Sequence, residues 1–264
     1  MTSHPWAANG RPLVFAHRGG SRLAPENTLA AFDRGAREGA DGLELDVHLS
    51  ADGAVVVCHD ARIDRTTDGK GAIGDLTAGE LARVDAGFHF VGPDGHHPFR
   101  GQGFGIPTLR EVLTRYPDKP LIVELKDDTP RLAEAVLHLV RRARAIERVC
   151  LGSFHLPVLR RIRELEPKVA TSAGPWEVRM ALYRSWIRLF PRRVPYRALQ
   201  VPERREATHI VTPSFVRGAH RAGVPVHVWV VDAAEDIRRL LSWGVDGIIT
   251  DRPDVAVREV GGRR

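Results

Sequence analysis

The chain has 264 residues, 43% hydrophobic and 27% charged, and its 39 Lys+Arg against 33 Asp+Glu give a formal net charge of +6. That length fits one large domain of the α/β-barrel kind, or two small ones, and buries a core without staples. Two cysteines, Cys58 and Cys150, exclude a disulfide framework, and no stretch approaches the ~18 uninterrupted apolar residues of a transmembrane helix.

In chain order, the N-terminal stretch MTSHPWAANGRP lacks the basic start and apolar run of a signal peptide, so a cytoplasmic, soluble protein is expected. Short apolar runs rich in Val, Ile and Leu predict strands at residues 13–17, 42–48, 54–59, 121–126, 149–154, 169–172, 198–201, 226–231 and 247–250. Helical periodicity falls at residues 26–38, 108–116, 131–146, 157–165, 176–190, 214–222 and 233–243. Strand–helix alternation with near-continuous apolar strands implies a parallel sheet with helices outside. Setting aside 54–59 as a hairpin partner leaves eight strands, hence a (β/α)8 TIM barrel with its site at the carboxyl ends of the strands. Residues 60–107, rich in Gly, Asp and His, read as a small insertion between barrel strands 2 and 3. With no internal repeat or low-complexity linker, residues 1–264 are expected to form one domain.

The polar residues at strand ends carry the chemistry. In Gly42-Leu43-Glu44-Leu45-Asp46-Val47-His48, Glu44 and Asp46 are two apart and share a face, while Leu43, Leu45 and Val47 take the other. Glu124 and Lys126 repeat the pattern in the next barrel strand. Three acids aimed into one barrel repel each other and resist desolvation. A divalent cation resolves this, and three carboxylates suit Mg²⁺, Ca²⁺ or Mn²⁺ rather than zinc. The competing reading makes Glu124 and Lys126 a mere salt-bridge layer. Lys126, fixed beside a cation, is also a receptor for phosphate oxygens.

His17 and His59 close strands on either side of this cluster and suit a general acid–base pair. His48 shares the Glu44/Asp46 face one step further out and is a weaker candidate, while His96 and His97 are expected in solvent. Arg18-Gly19-Gly20 lets backbone approach an anion, with the Arg18 fork offered to phosphate. Glu26 has two readings: a helix-start residue that suits the dipole, or a carboxylate turned back to hold Arg18.

Together these residues resemble the glycerophosphodiester phosphodiesterase family. The resemblance rests on His17-Arg18-Gly19, Pro25-Glu26-Asn27-Thr28, Glu44-Leu45-Asp46-Val47, Val57-Cys58-His59-Asp60, Val123-Glu124-Leu125-Lys126, Val228-Trp229-Val230-Val231 and Thr250-Asp251-Arg252-Pro253, in the family's order. It implies a TIM barrel that hydrolyses a glycerophosphodiester to glycerol 3-phosphate and an alcohol. It further implies a metal on Glu44, Asp46 and Glu124, acid–base work by His17 and His59, and phosphate contacts from Arg18 and Lys126. A substrate hydroxyl attacking first, through a cyclic phosphate that water then opens, is the mechanism the family suggests. Where relatives often read Trp-Thr-Val-Asn, this chain has Trp229-Val230-Val231-Asp232; Trp229 would still line the pocket.

The predicted helix 176–190 is apolar over roughly 200°, wider than the stripe a surface helix needs. It is expected either to be covered by another segment or a second subunit, giving a homodimer, or to face lipid beside the mouth. The latter suits the alternative function, a lysophospholipase D at a membrane surface. A non-catalytic head-group-binding barrel would lack an acid or a histidine, and none is missing. Nucleic acid has only the net charge in its favour, without aromatics interleaved on a basic face.

Overall fold

The computed structural model describes Trp6 and residues 10–187 and 193–261. The strands are β1 (Leu13–Ala16), β2 (Gly42–Leu49), β3 (Val55–Val57), β4 (Leu121–Leu125), β5 (Val149–Gly152), β6 (Ala170–Thr171), β7 (Leu199–Pro202), β8 (Arg204–Arg205), β9 (Thr208–His209), β10 (Val226–Trp229) and β11 (Gly247–Thr250). The α-helices are α1 (Leu29–Arg37), α2 (Ala78–Leu81), α3 (Leu109–Arg115), α4 (Pro130–Arg142), α5 (Leu156–Leu165), α6 (Pro175–Trp186), α7 (Pro213–Arg221), α8 (Ala234–Ser242) and α9 (Pro253–Gly261). Eight strands run parallel in the order β6-β5-β4-β2-β1-β11-β10-β7. A parallel bridge between Ser172 and Ala198 joins the two ends of that row. This curled parallel sheet with helices between its strands is the expected TIM barrel; β3 pairs antiparallel with β2 and stands outside the ring.

Side-chain alternation explains the layers. Leu43, Leu45 and Val47 of β2, and Leu121, Val123 and Leu125 of β4, are fully buried against the helices. Each stabilises the fold by about 2 kcal/mol relative to exposure. The opposite faces supply a barrel floor of Trp6, Phe15, Ile122, Cys150, Ala170, Ala198 and Ile249. Trp6 stacks on Phe15 with ring centroids 6.0 Å apart, and its carbonyl accepts from His227 Nε2 at 2.8 Å. With the floor filled by apolar groups, polar residues are left for the upper rim.

Several boundaries differ from the sequence pattern for local reasons. Helix α1 begins at Leu29, three residues later than the periodicity predicts, because Thr28 Oγ1 caps it by accepting from Ala31 N. Asn27 before it is left-handed at φ 58°. Residue 17 leaves β1 for a 3-10 turn over His17–Gly19. The hairpin β8–β9 and helix α9, which no predicted element covered, complete the chain. Segment 60–107 folds over its own small core of Val56, Cys58, Ile63, Ile73, Leu81, Ala86 and Ile106.

Helix α6 stops at Trp186, and residues 188–190 of the longer predicted helix lie outside the described residues. It buries Ala181, Leu182 and Ser185, yet leaves Trp176, Tyr183, Trp186 and Ile187 exposed. Among the described residues, no helix is long and apolar enough to cross a membrane.

Candidate active site

The register of β2 and β4 sets Asp46 beside Glu124. Glu44, Asp46 and Glu124 each offer an oxygen, and these lie within 4.8 Å of one another. Asp46 is 1% exposed and ion-paired with Lys126 Nζ at 2.9 Å and Arg18 Nε at 3.3 Å, and it accepts a hydrogen bond from Asn27 Nδ2 at 2.9 Å. Burial disfavours its charge, but Lys126, Arg18 and the Asn27 bond hold its carboxyl below the usual range.

Glu44 stands the other way. Burial, reinforced by the Asp46 charge, pushes its carboxyl up to about 7. Burial and Asp46 raise Glu124 too, against the pull of Lys126. Glu124 Oε1 lies 2.8 Å from Lys126 Nζ, an ion pair without hydrogen-bond geometry, so this buried oxygen has no hydrogen-bond partner. Three hard oxygens that cannot all stay charged fit a divalent cation.

The two histidines flank this cluster, each oriented by an aspartate. His17 Nδ1 is 2.6 Å from Asp251 Oδ1, and its Nε2 is 3.8 Å from Glu44 Oε2. Burial opposes protonation of His17, but Glu44 and Asp251 outweigh it and raise its pKa. His59 Nδ1 is 2.6 Å from Asp60 Oδ1. A ring nitrogen facing a carboxylate carries the proton, which leaves Nε2 as the basic atom in the neutral ring. Asp60 is itself held at about 2 by its bond from Arg65.

Arg65 also donates twice to Glu26 at 2.8 Å, and Glu26 accepts from Arg18 at 3.0 Å. Glu26 therefore holds Arg18, the second of its two readings, since the chain at Glu26 is not yet helical. A continuous chain runs His59–Asp60–Arg65–Glu26–Arg18. Arg18 N donates to Glu44 Oε2 at 3.0 Å from a left-handed backbone, φ 50°. Gly19, at φ 87°, abuts α1 so closely that a Cβ would sit 2.7 Å from that of Ala31; only glycine fits.

His48 has both nitrogens engaged, Nδ1 2.6 Å from Asp127 Oδ1 and Nε2 3.1 Å from the His59 carbonyl. It braces the His59 backbone rather than facing the cavity. His96 and His97 are exposed, as expected. Cys58 and Cys150 are buried, with thiols pushed up to about 12 chiefly by desolvation.

His17, Arg18, Glu44, His59, Glu124 and Lys126 all line one cavity of about 780 Å³, and Trp229 lines it from β10. Trp229 meets Phe154 edge-to-face, with centroids 6.4 Å apart. Of the two residues that depart from the Trp-Thr-Val-Asn pattern, Val230 and Asp232, Val230 lines the cavity. Asp232 Oδ1 accepts from Thr250 Oγ1 and Asp251 N, both at 2.9 Å, and so fixes the loop that presents Asp251.

Sequence reasoning assigned no role to Asp251, Asn27, Asp60 or Arg65. Three of them sit inside quoted motifs, and Asn27 and Asp60 stand next to residues that were assigned, Glu26 and His59. The available signal was a polar residue directly after an assigned one, which marks Asn27 and Asp60; Asp251 and Arg65 had none.

A barrel whose strand ends gather carboxylates, histidines and cations in one cavity has the build of an enzyme acting on an anionic substrate. Residues 17–255 match the Glycerophosphoryl diester phosphodiesterase family. A glycerophosphodiester phosphodiesterase of Caldanaerobacter subterraneus subsp. tengcongensis is 35% identical over 262 residues, covering 95% of this chain and 98% of that one. One of Bacillus altitudinis is 33% identical over 251 residues, covering 93% and 96%. Among solved structures, a phosphodiesterase of Oleispira antarctica in complex with the product sn-glycerol-3-phosphate superposes with a TM-score of 0.74 at 26% identity, covering 95% of this chain and 97% of that one. The chain belongs to the glycerophosphoryl diester phosphodiesterase family, and it is an enzyme.

Proposed function

We propose that the enzyme is a metal-dependent phosphodiesterase that hydrolyses glycerophosphodiesters to glycerol 3-phosphate and an alcohol. The observation that carries this reading is the cluster of Glu44, Asp46 and Glu124, of which Glu44 and Glu124 open onto the cavity that His17 and His59 also line. The names of the relatives and the product bound by the Oleispira antarctica protein support the substrate class. They do not favour the lysophospholipase D alternative.

Glu44, Asp46 and Glu124 would hold the cation, which when bound supplies positive charge to the phosphoryl oxygens. Arg18 and Lys126 bind the remaining phosphate oxygens, Arg18 through its planar fork and Lys126 as a point charge. Trp229 lines the wall against which the substrate rests. One histidine takes the proton of the substrate hydroxyl next to the phosphate through Nε2, as that oxygen attacks phosphorus. The other donates a proton from Nε2 to the departing alcohol oxygen, leaving a cyclic phosphate. Water then opens the ring with the two histidines in exchanged roles. Asp251 and Asp60 keep each ring in the tautomer this needs.

The test is release of glycerol 3-phosphate and alcohol from glycerophosphoethanolamine, followed with Mg²⁺, Ca²⁺ or chelator. Turnover with metal and none with chelator is expected. Equal turnover in chelator contradicts the metal-dependent reading.

A further inference from the structure

The cavity extends well beyond the phosphate-binding wall, and its far side has a distinct electrostatic character. In the eight-strand ring, β7 stands four positions from β2 and hence diametrically opposite the carboxylate cluster. The hairpin that follows β7 brings Arg204 and Arg205 to the cavity, and α6, after the neighbouring strand β6, adds Arg179. All three are exposed at the mouth. Arg179 is steadied over the Trp176 ring, 5.9 Å from its centroid.

Among the described residues, none of these guanidiniums is in an ion pair. The acids nearest along the chain are engaged elsewhere, Glu177 with Arg163 and Glu203 with Arg239, while Glu206 does not line the cavity. The only carboxylates among the lining residues are Glu44 and Glu124, on the opposite wall. A cleft wall of one sign, in a cavity also lined by low-dielectric groups such as Phe154, Val230 and Ile210, focuses its field on whatever enters.

We infer that the arm of the substrate beyond the scissile phosphate is an alcohol bearing its own anionic group, a phosphate or carboxylate, and that Arg179, Arg204 and Arg205 select for it. This rests on the phosphodiesterase reading above and names the substrate class of that site. With the phosphate on the cation wall and the attacking hydroxyl beside it, the glycerol arm stays compact there. The leaving arm is then the one that spans the mouth toward the arginines. A cationic leaving group finds the edge-to-face pair Trp229–Phe154 as its one attraction and three unneutralised guanidiniums as its repulsion. An anionic group meets guanidinium forks suited to phosphate or carboxylate.

Three diesters test this: bis(glycerophospho)glycerol, whose leaving alcohol is anionic, glycerophosphoglycerol, whose leaving alcohol is neutral, and glycerophosphocholine, whose leaving alcohol is cationic. The ratio of kcat/KM for the anionic over the cationic diester is expected to be roughly tenfold or more at low salt, and to shrink as salt is added. In Arg204→Glu/Arg205→Glu the ratio is expected to collapse toward unity or invert, and in Arg204→Lys/Arg205→Lys to remain. Because it is a ratio within each variant, a uniform loss from poor folding cancels. A wild-type ratio at or below one overturns the inference while turnover of glycerophosphoglycerol leaves the phosphodiesterase reading intact. A wild-type preference unchanged by charge reversal also overturns it. Absence of turnover on all three diesters overturns the phosphodiesterase reading, and the inference with it.

Discussion

His17 and Asp251 lie at opposite ends of the chain, yet Nδ1 of the one is 2.6 Å from Oδ1 of the other. Parallel pairing of β1 with β11 makes this possible, setting Ala16 beside Thr250 so that the next residue of each strand meets above the barrel. Asp232 then anchors the Asp251 amide from β10's loop. Asp251 thus fixes the imidazole's direction without itself lining the cavity.

Asp251→Asn keeps the size of the side chain but removes its charge. If His17 is the acid–base group proposed above, a roughly hundredfold fall in kcat is expected, with KM changed far less. Steady-state kinetics, with Asp251→Glu as the conservative control, check this. Equal kcat in Asp251→Asn and wild type contradicts a positioning role.

Arg163 ties α5 to α6 and β6. It donates twice to Glu177, at 2.7 and 3.0 Å, and also to Thr171 Oγ1 and the Ser172 carbonyl. Both partners of the ion pair are largely buried. Arg163→Met is expected to cost about 3 kcal/mol, because Glu177 is left charged and unpaired. Urea unfolding measures it; a cost under about 0.5 kcal/mol, the range of an ordinary surface change, contradicts it.

His220 on α7 donates to Asp246 across 2.8 Å, and that bond raises its pKa above the usual 6.5. A raised folded-state pKa gives stability that is full below pH 6.5 and lost as pH climbs through the folded value. With the His220 side chain 42% exposed, solvent screening limits the gain to about 0.5 kcal/mol. The Tm of wild type should therefore exceed that of His220→Gln by more at pH 5.5 than at pH 9. A gap that widens toward pH 9 contradicts the assignment.

The barrel was legible because each strand's apolar run and each helix's stripe repeat a local pattern that tertiary packing merely uses. The three carboxylates were legible for the same reason, since the two-residue period of β2 and β4 fixes which side chains face inward. Glu26 was ambiguous because its fate turns on Thr28, not Glu26, being the cap of α1. Asp251 and Arg65 were not legible, because their partners lie far away in sequence and no local period connects them. Helix α6 shows the limit of composition. Its wide apolar arc is packed on one side only, with Trp176, Tyr183 and Trp186 left exposed.

As proposed above, Glu44, Asp46 and Glu124 form one cation site on which phosphodiester hydrolysis depends. The most direct measurement is a calorimetric titration of chelator-stripped protein with Mg²⁺ or Ca²⁺, run beside glycerol 3-phosphate release, for wild type and Glu44→Gln. Wild type should regain binding and turnover together, and Glu44→Gln should lose both while keeping a cooperative thermal transition. Undiminished turnover by Glu44→Gln, or by wild type stripped of metal, would contradict the account.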